Sequence, residues 1–229
     1  MEIVDNPEVV KLTLDHLVSK YHLNEKRDTI HLSSVVTCLT SSFFGMCEDS
    51  IRPTDAELLL FALGYGLQDV ITPPNASAPT IILEGISYRP DYMLKIKKSR
   101  LYEIKTTRMS AKKGEEHDFP QAWLEYMMGG CFMMEKNEYE LAVIYMMGTW
   151  RPPFPMLSGY RFVFDDDELF DNWSWITQRK EVLQTCIDRR VIPTPFQWNK
   201  DYECEHCRYK LVCDAMSFAP NEFSPKLVK

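Results

Sequence analysis

Ser87-Tyr88-Arg89-Pro90-Asp91-Tyr92-Met93-Leu94-Lys95-Ile96, Lys97-Lys98-Ser99-Arg100 and Leu101-Tyr102-Glu103-Ile104-Lys105-Thr106-Thr107 follow one another without a break. The outer segments carry β-branched and aromatic residues and read as two short strands, about 87–96 and 101–107, joined by the basic turn. Such a hairpin sets Asp91 beside Glu103. Lys105 lies two residues beyond Glu103, so strand alternation turns both side chains to one face. Mg²⁺ and Mn²⁺ take oxygen ligands, and neighbouring carboxylates are their natural cradle. The pattern therefore predicts a metal site with an ammonium group alongside, suited to cutting a phosphodiester in nucleic acid. Acids and bases also alternate on plain solvated strands, so the spacing by itself is a hypothesis. Leu101, Ile104 and Ile81-Ile82-Leu83 weigh against that plainer reading, because they indicate strands covered on at least one side. An inward lysine there needs a carboxylate or a ligand.

Outward from this hairpin, charge is unevenly spread. The 229-residue chain has a net charge of −7, which opposes a nucleic-acid partner. Yet Lys95, Lys97, Lys98, Arg100, Lys105, Arg108, Lys112 and Lys113 fall between positions 95 and 113 against Glu103 alone. Screening confines charges to about 8 Å at physiological salt, so a local strip can hold phosphates on an acidic protein. Lys97, Lys98, Arg100, Arg108, Lys112 and Lys113 are its DNA-binding candidates.

Seven cysteines stand at 38, 47, 131, 186, 204, 207 and 213. No signal segment opens the chain and no apolar run approaches ~20 residues, so the reading is cytoplasmic and without a membrane. Clustered thiols in that compartment bind metal rather than form disulfides. Cys204, Cys207 and Cys213 need a fourth partner to close a tetrahedral site or hold a cubane cluster. Cys38, Cys47, His206 and the lone distant cysteines are the choices. His206 is strained inside its own loop, and Cys131 and Cys186 fall on helices as small apolar residues.

The remaining elements follow from periodicity and punctuation. Helices are expected at 8–18, at 33–44 carrying Cys38, from the capping box Thr54–Glu57 to about Val70, from Pro120 to about Glu135, and over 166–189. The last presents Leu169, Trp173, Ile176, Leu183 and Ile187 as a core stripe, with the acidic run from Asp165 as its cap. Strands are expected at 80–83, 139–146 and 160–164, with loops at 110–118 and 150–158 and Trp198 and Tyr202 shielding the cysteines. Twelve methionines, several in pairs, read as flexible core filling. The whole is an α/β fold, a central mixed β-sheet flanked by helices.

Pro90-Asp91 with Glu103-Ile104-Lys105 resembles the PD-(D/E)xK nuclease signature. Together with Cys204, Cys207 and Cys213 it is similar to the RecB-like, CRISPR-associated iron–sulfur exonucleases and their phage and viral relatives. The resemblance spans about 31–216 and implies a restriction-endonuclease-like core at 54–190, with 31–47 and 196–216 forming a cysteine module in a single 1–229 nuclease domain. It implies a [4Fe–4S] cluster on Cys38, Cys204, Cys207 and Cys213, with Cys38 preferred to Cys47 because it follows the serine-bearing segment Ser33–Thr37. It implies Mg²⁺ or Mn²⁺ on Asp91, Glu103 and the Ile104 carbonyl, and single-stranded DNA cut from a 5′ end. The setting implied is spacer trimming beside the CRISPR integrase, or viral recombination. Self-association into a homo-oligomer is left open. Two departures stand out. The family's metal-binding histidine is replaced by Gln68, a weaker ligand. The family's helical glutamine and tyrosine are four residues apart, whereas Gln121 and Tyr126 are five apart and so lie on different faces; Gln121 is carried over first, Tyr126 second. The rival reading is a nucleic-acid binder with a zinc site of four cysteines and a decayed pocket.

Overall fold

The computed structural model describes residues 7–21, 29–47, 53–74, 76, 78–96, 98–146, 155–194, 204–205 and 207–218, with backbone alone at 21, 95, 96, 98, 217 and 218. Trp198 and Tyr202 lie outside the described residues. In chain order these form α1 (Pro7–Tyr21), β1 (Ile30–His31), α2 (Leu32–Val36), α3 (Leu39–Cys47), α4 (Asp55–Ile71), β2 (Ile81–Leu83), β3 (Ile86–Tyr88), β4 (Tyr92–Ile96) and β5 (Lys98–Thr107). There follow α5 (Ala111–Glu115), α6 (Gln121–Met133), β6 (Glu138–Tyr145), β7 (Met156–Val163), α7 (Asp166–Arg189) and α8 (Lys210–Phe218).

The strands make two mixed sheets. The larger runs β4-β5-β6-β7, with β5 and β6 parallel and the outer pairs antiparallel. The parallel step needs a crossover, which α5 and α6 supply. β7 is an edge strand whose residues alternate between half-buried and exposed, whereas the second half of β6 is buried on both faces. The smaller sheet, β1-β3-β2, was not foreseen. The strand expected over 87–96 is two, β3 ending at Tyr88 and β4 starting at Tyr92, in different sheets because Arg89-Pro90-Asp91 breaks the ladder. Proline has no N–H to give, so a break there costs no bond. Glu84 and Gly85, at φ 50° and 79°, close β2 onto β3 in a two-residue turn that demands positive φ.

The main core lies between the larger sheet and helices α2, α3, α6 and α7. Leu32, Val35, Ile86, Leu101, Met127, Leu141, Ile176 and Leu183 are fully buried in it. Leu169 and Trp173 continue the expected α7 stripe, with Ile187 packed half-buried against it. On the opposite sheet face Tyr92, Ile104 and Ile144 meet Leu67 and Ile71 of α4. Capping boxes at Thr54/Glu57 and Asp165/Glu168 start α4 and α7 as the sequence indicated.

Three further expectations are corrected. The helix over 33–44 is two helices, broken at Thr37-Cys38, so Cys38 sits at a corner rather than on a helix face. The 110–118 link contains α5, started by the Ser110 hydroxyl accepting from Lys112 N. β7 begins at Met156, inside the stretch read as a loop. Among the described residues no helix is long and apolar enough to cross a membrane.

Candidate active site

The hairpin register builds the site. Tyr92 pairs with Tyr102, so one further step sets Asp91 against Glu103. Glu103 is only 3% exposed. Asp91 Oδ2 accepts from the Ile104 amide at 2.7 Å, and its Oδ1 accepts from Gln68 Nε2 on α4 at 2.8 Å. Glu103 Oε1 accepts from Lys105 Nζ, and Oε2 accepts from the Tyr139 hydroxyl on β6 at 3.1 Å. Behind that bond the Tyr139 and Tyr88 hydroxyls are 2.6 Å apart. Tyr126 on α6 sets its ring 5.4 Å from Lys105 Nζ, and its hydroxyl donates to Arg89 O at 3.4 Å.

These contacts define the charges. Burial, then repulsion by Glu103, raises Asp91 from 3.8 to about 7, against the Ile104 amide, Lys105 and Gln68. Burial pulls Lys105 down, but the Glu103 charge and hydrogen bond and the Asp91 charge outweigh it, so its pKa stands above its ordinary value. Burial pushes Tyr88 and Tyr139 well up, with Glu103 second, so both are neutral donors. A buried carboxylate loaded by a second carboxylate is a donor set whose repulsion a divalent cation relieves, so the residues fit Mg²⁺ or Mn²⁺. Among the described residues no three His, Cys, Asp or Glu side chains come close enough together to hold a metal ion.

Gln68, carried over with lower rank, is in direct contact with Asp91. Gln121 is exposed, and its amide donates to Glu125 Oε1 at 2.5 Å, one turn along α6. The five-residue spacing thus separates it from Tyr126 as helical geometry requires, and Tyr126 reaches the lysine. Sequence reasoning missed Tyr88 and Tyr139. Their signal was available: a tyrosine on an apolar, centrally placed strand needs a partner for its hydroxyl.

The basic strip is not one patch. Arg100 and Arg108 lie toward opposite ends of β5, eight residues apart, about 26 Å at strand rise. Arg100 pairs with Glu140 at 3.0 Å, Lys112 with Glu116 at 3.4 Å and Lys113 with Asp118 at 3.3 Å. Arg108 is exposed. The side chains of Lys97 and Lys98 lie outside what the structure describes.

Cys38, Cys204, Cys207 and Cys213 are all half-buried. Burial raises Cys213 to about 11, with Cys207, Cys38 and Cys204 adding to it, so the four are electrostatic neighbours. Tyr209 stacks on Phe44 of α3 at 5.0 Å, and Arg208 pairs with Glu57 of α4 at 3.3 Å. The donor chemistry suits a thiolate-bound group, but no three of these thiols stand at metal-holding separation. A formed [4Fe–4S] site is not evident.

No protein-family model matches the chain, and neither does any curated protein. Among solved structures it is similar to SSO0001, with a TM-score of 0.55 and 17% identity over 91% of this chain and 97% of that one. It is also similar to the alkaline exonuclease LHK-Exo of Laribacter hongkongensis, with a TM-score of 0.47 and 12% identity over 71% of this chain and 91% of that one. A phage-related exonuclease from Haemophilus somnus 129PT gives a TM-score of 0.44 and 12% identity over 71% and 95%. The likeness to SSO0001 is one of fold: this chain shares its mixed α/β architecture.

Proposed function

We propose that the chain is a divalent-metal-dependent deoxyribonuclease with a restriction-endonuclease-like core, acting on single-stranded DNA as an exonuclease from a 5′ end. The observation that carries this reading is the Asp91–Glu103 apposition with Lys105 held on Glu103. Asp91, Glu103 and the Ile104 carbonyl would hold Mg²⁺ or Mn²⁺, which when bound supplies charge to polarise a phosphate and hydroxide near neutral pH. The chain's own groups then bind and orient. Lys105, kept cationic by two carboxylates, faces a non-bridging phosphate oxygen or the attacking water. Tyr126 restrains that ammonium, Tyr139 fixes the Glu103 rotamer, and Gln68 and the Ile104 amide fix Asp91. Gln121, exposed at the start of α6, is left to contact substrate.

Polarity and setting rest on the sequence resemblance: spacer acquisition beside the CRISPR integrase in the cytoplasm, or recombination of phage or viral DNA. In that setting Cys38, Cys204, Cys207 and Cys213 would hold a [4Fe–4S] cluster, tying the 31–47 and 196–216 segments into one module of a single nuclease domain. One contact favours a second reading. The Gln68 amide donates to Asp91 Oδ1, where the family places an imidazole, as a decayed pocket in a zinc-bearing binder would.

End-labelled single-stranded DNA incubated with wild type or Glu103→Ala, in Mg²⁺ and in Mn²⁺, separates the two. Shortening by wild type alone supports the nuclease. Binding without cleavage by either protein supports the rival. Brown protein indicates iron–sulfur, and colourless protein with bound zinc the alternative.

A further inference from the structure

Glu103, Leu141 and Tyr160 are register partners across β5, β6 and β7, so their side chains share the sheet face of the candidate site. Two strand spacings, roughly 10 Å, separate Glu103 from Tyr160 along that row. An aromatic ladder begins there. Phe119 meets Tyr160 at 4.8 Å and Phe162 at 5.3 Å, both edge-on at 73°. His117 lies 6.3 Å from Phe119 at 16° and 6.1 Å from Tyr160 at 88°.

The half-buried rungs Phe119, Tyr160 and Phe162 explain themselves as core rim, but the exposed His117 does not. It adopts φ 56°, the left-handed position that ends α5. His117 N donates to Gly114 O at 3.1 Å and Asp118 N to Lys113 O at 2.8 Å, fixing the turn. Gly114 lets α5 lie flat on the tyrosines, since a Cβ there would collide with the Tyr145 and Tyr160 hydroxyls. Arg108 is exposed on the same segment, and Lys112 and Lys113, also exposed, pair with Glu116 and Asp118. An exposed ring held by that turn, stacked on residues of the sheet face that carries Glu103 two strands away, matches the needs of a nucleobase whose phosphate lies at the carboxylates.

We propose that His117, backed by Phe119 and Tyr160, is a stacking subsite for a base of single-stranded DNA next to the phosphate held at Asp91 and Glu103. This rests on the nuclease reading. The test uses a Glu103→Gln background, so that DNA survives, and fluorescence anisotropy with oligothymidylates carrying one abasic nucleotide at successive positions. One position should weaken binding about tenfold when His117 is present. His117→Ala should weaken the intact oligomer by the same factor and erase the penalty at that position, while His117→Trp restores both. An abasic profile that is flat, or identical in His117→Ala, overturns the subsite. Wild type that neither cuts nor binds single strands overturns the nuclease reading instead.

Discussion

The carboxylate site and the cysteine group are assembled in opposite ways. Asp91 and Glu103 are joined by one hairpin whose register leaves no other arrangement, and each carboxylate is already hydrogen-bonded. Cys38 and Cys204–Cys213 come from opposite ends of the chain. Their approach depends on long-range contacts: Arg179 of α7 donates to Val35 O at 2.7 Å and Thr37 O at 2.6 Å, fixing the corner before Cys38. Thr40 Oγ1 donates to Pro193 O at 2.9 Å, near the start of the cysteine segment. A site closed by local register is preorganised without its ligand. A site that closes most of the chain into a loop gains most from a ligand that staples it. Damage to the first should therefore cost chemistry, and damage to the second should cost stability.

The sharpest break in that contrast comes from activity. Glu103→Ala and Lys105→Ala should each lower single-strand cleavage roughly a hundred- to a thousandfold, by removing an electrostatic group at the reacting phosphate. Each variant strands a buried partner, so its melting temperature should fall by a few degrees while the protein still folds. If cleavage survives Glu103→Ala, the local site is not the reactive one.

The converse is Cys204→Ala. On the proposed reading that these cysteines hold a cluster, stability should fall by several kcal/mol, a drop of roughly ten degrees in melting temperature for a domain this size. Any brown colour should go with it. Cys131→Ala is the control: that thiol is wholly buried in α6 and pushed up to about 12, so it is inert packing. It should lose stability with no change in metal content.

Titration sharpens the comparison further. The Asp91 pKa rises from 3.8 unfolded to about 7 folded, so the folded state holds the proton more tightly. Its contribution is fully present below about pH 4 and is lost as pH climbs through about 7. Metal-free protein in a chelator should therefore be less stable at pH 8 than at pH 5 by up to a few kcal/mol. Asp91→Asn should remove most of that difference and be more stable than wild type at pH 8, while inactive. Manganese should raise the wild-type melting temperature more at pH 8 than at pH 5. Identical melting shifts at both pH values would count against a loaded carboxylate.

Much of this was legible in the residues. The capping box at Thr54 and the acidic run from Asp165 marked two helix starts, and alternation placed Glu103 and Lys105 on one face. The failures share a cause. The Pro90 break, the Thr37-Cys38 corner and α5 are each shorter than the window over which periodicity speaks. The strand beyond the Glu84-Gly85 turn is only three residues long, and its parallel partner β1 only two, too short for any alternation to register. Counting charges along the chain overlooked carboxylates brought in from elsewhere, such as Glu140 beside Arg100. Tyr88 and Tyr139 carry no charge and belong to no motif; only the ladder shows that they meet over Glu103.

Those tyrosines give the smallest effect and the finest test of preorganisation. The Tyr139 hydroxyl bridges Tyr88 and Glu103, and Tyr139→Phe strands both partners in a buried place. Leaving a buried acceptor unsatisfied costs about 1–3 kcal/mol, so a melting shift of a few degrees is expected. Glu103 keeps Lys105, and so cleavage should fall less than about tenfold with KM unchanged. Tyr88→Phe spares the bond to Glu103 and should cost stability with no loss of rate. Equal rate losses in the two variants would mean that the pair acts as a unit on Glu103. A thousandfold loss in Tyr139→Phe would place that hydroxyl at the phosphate itself rather than behind the carboxylate.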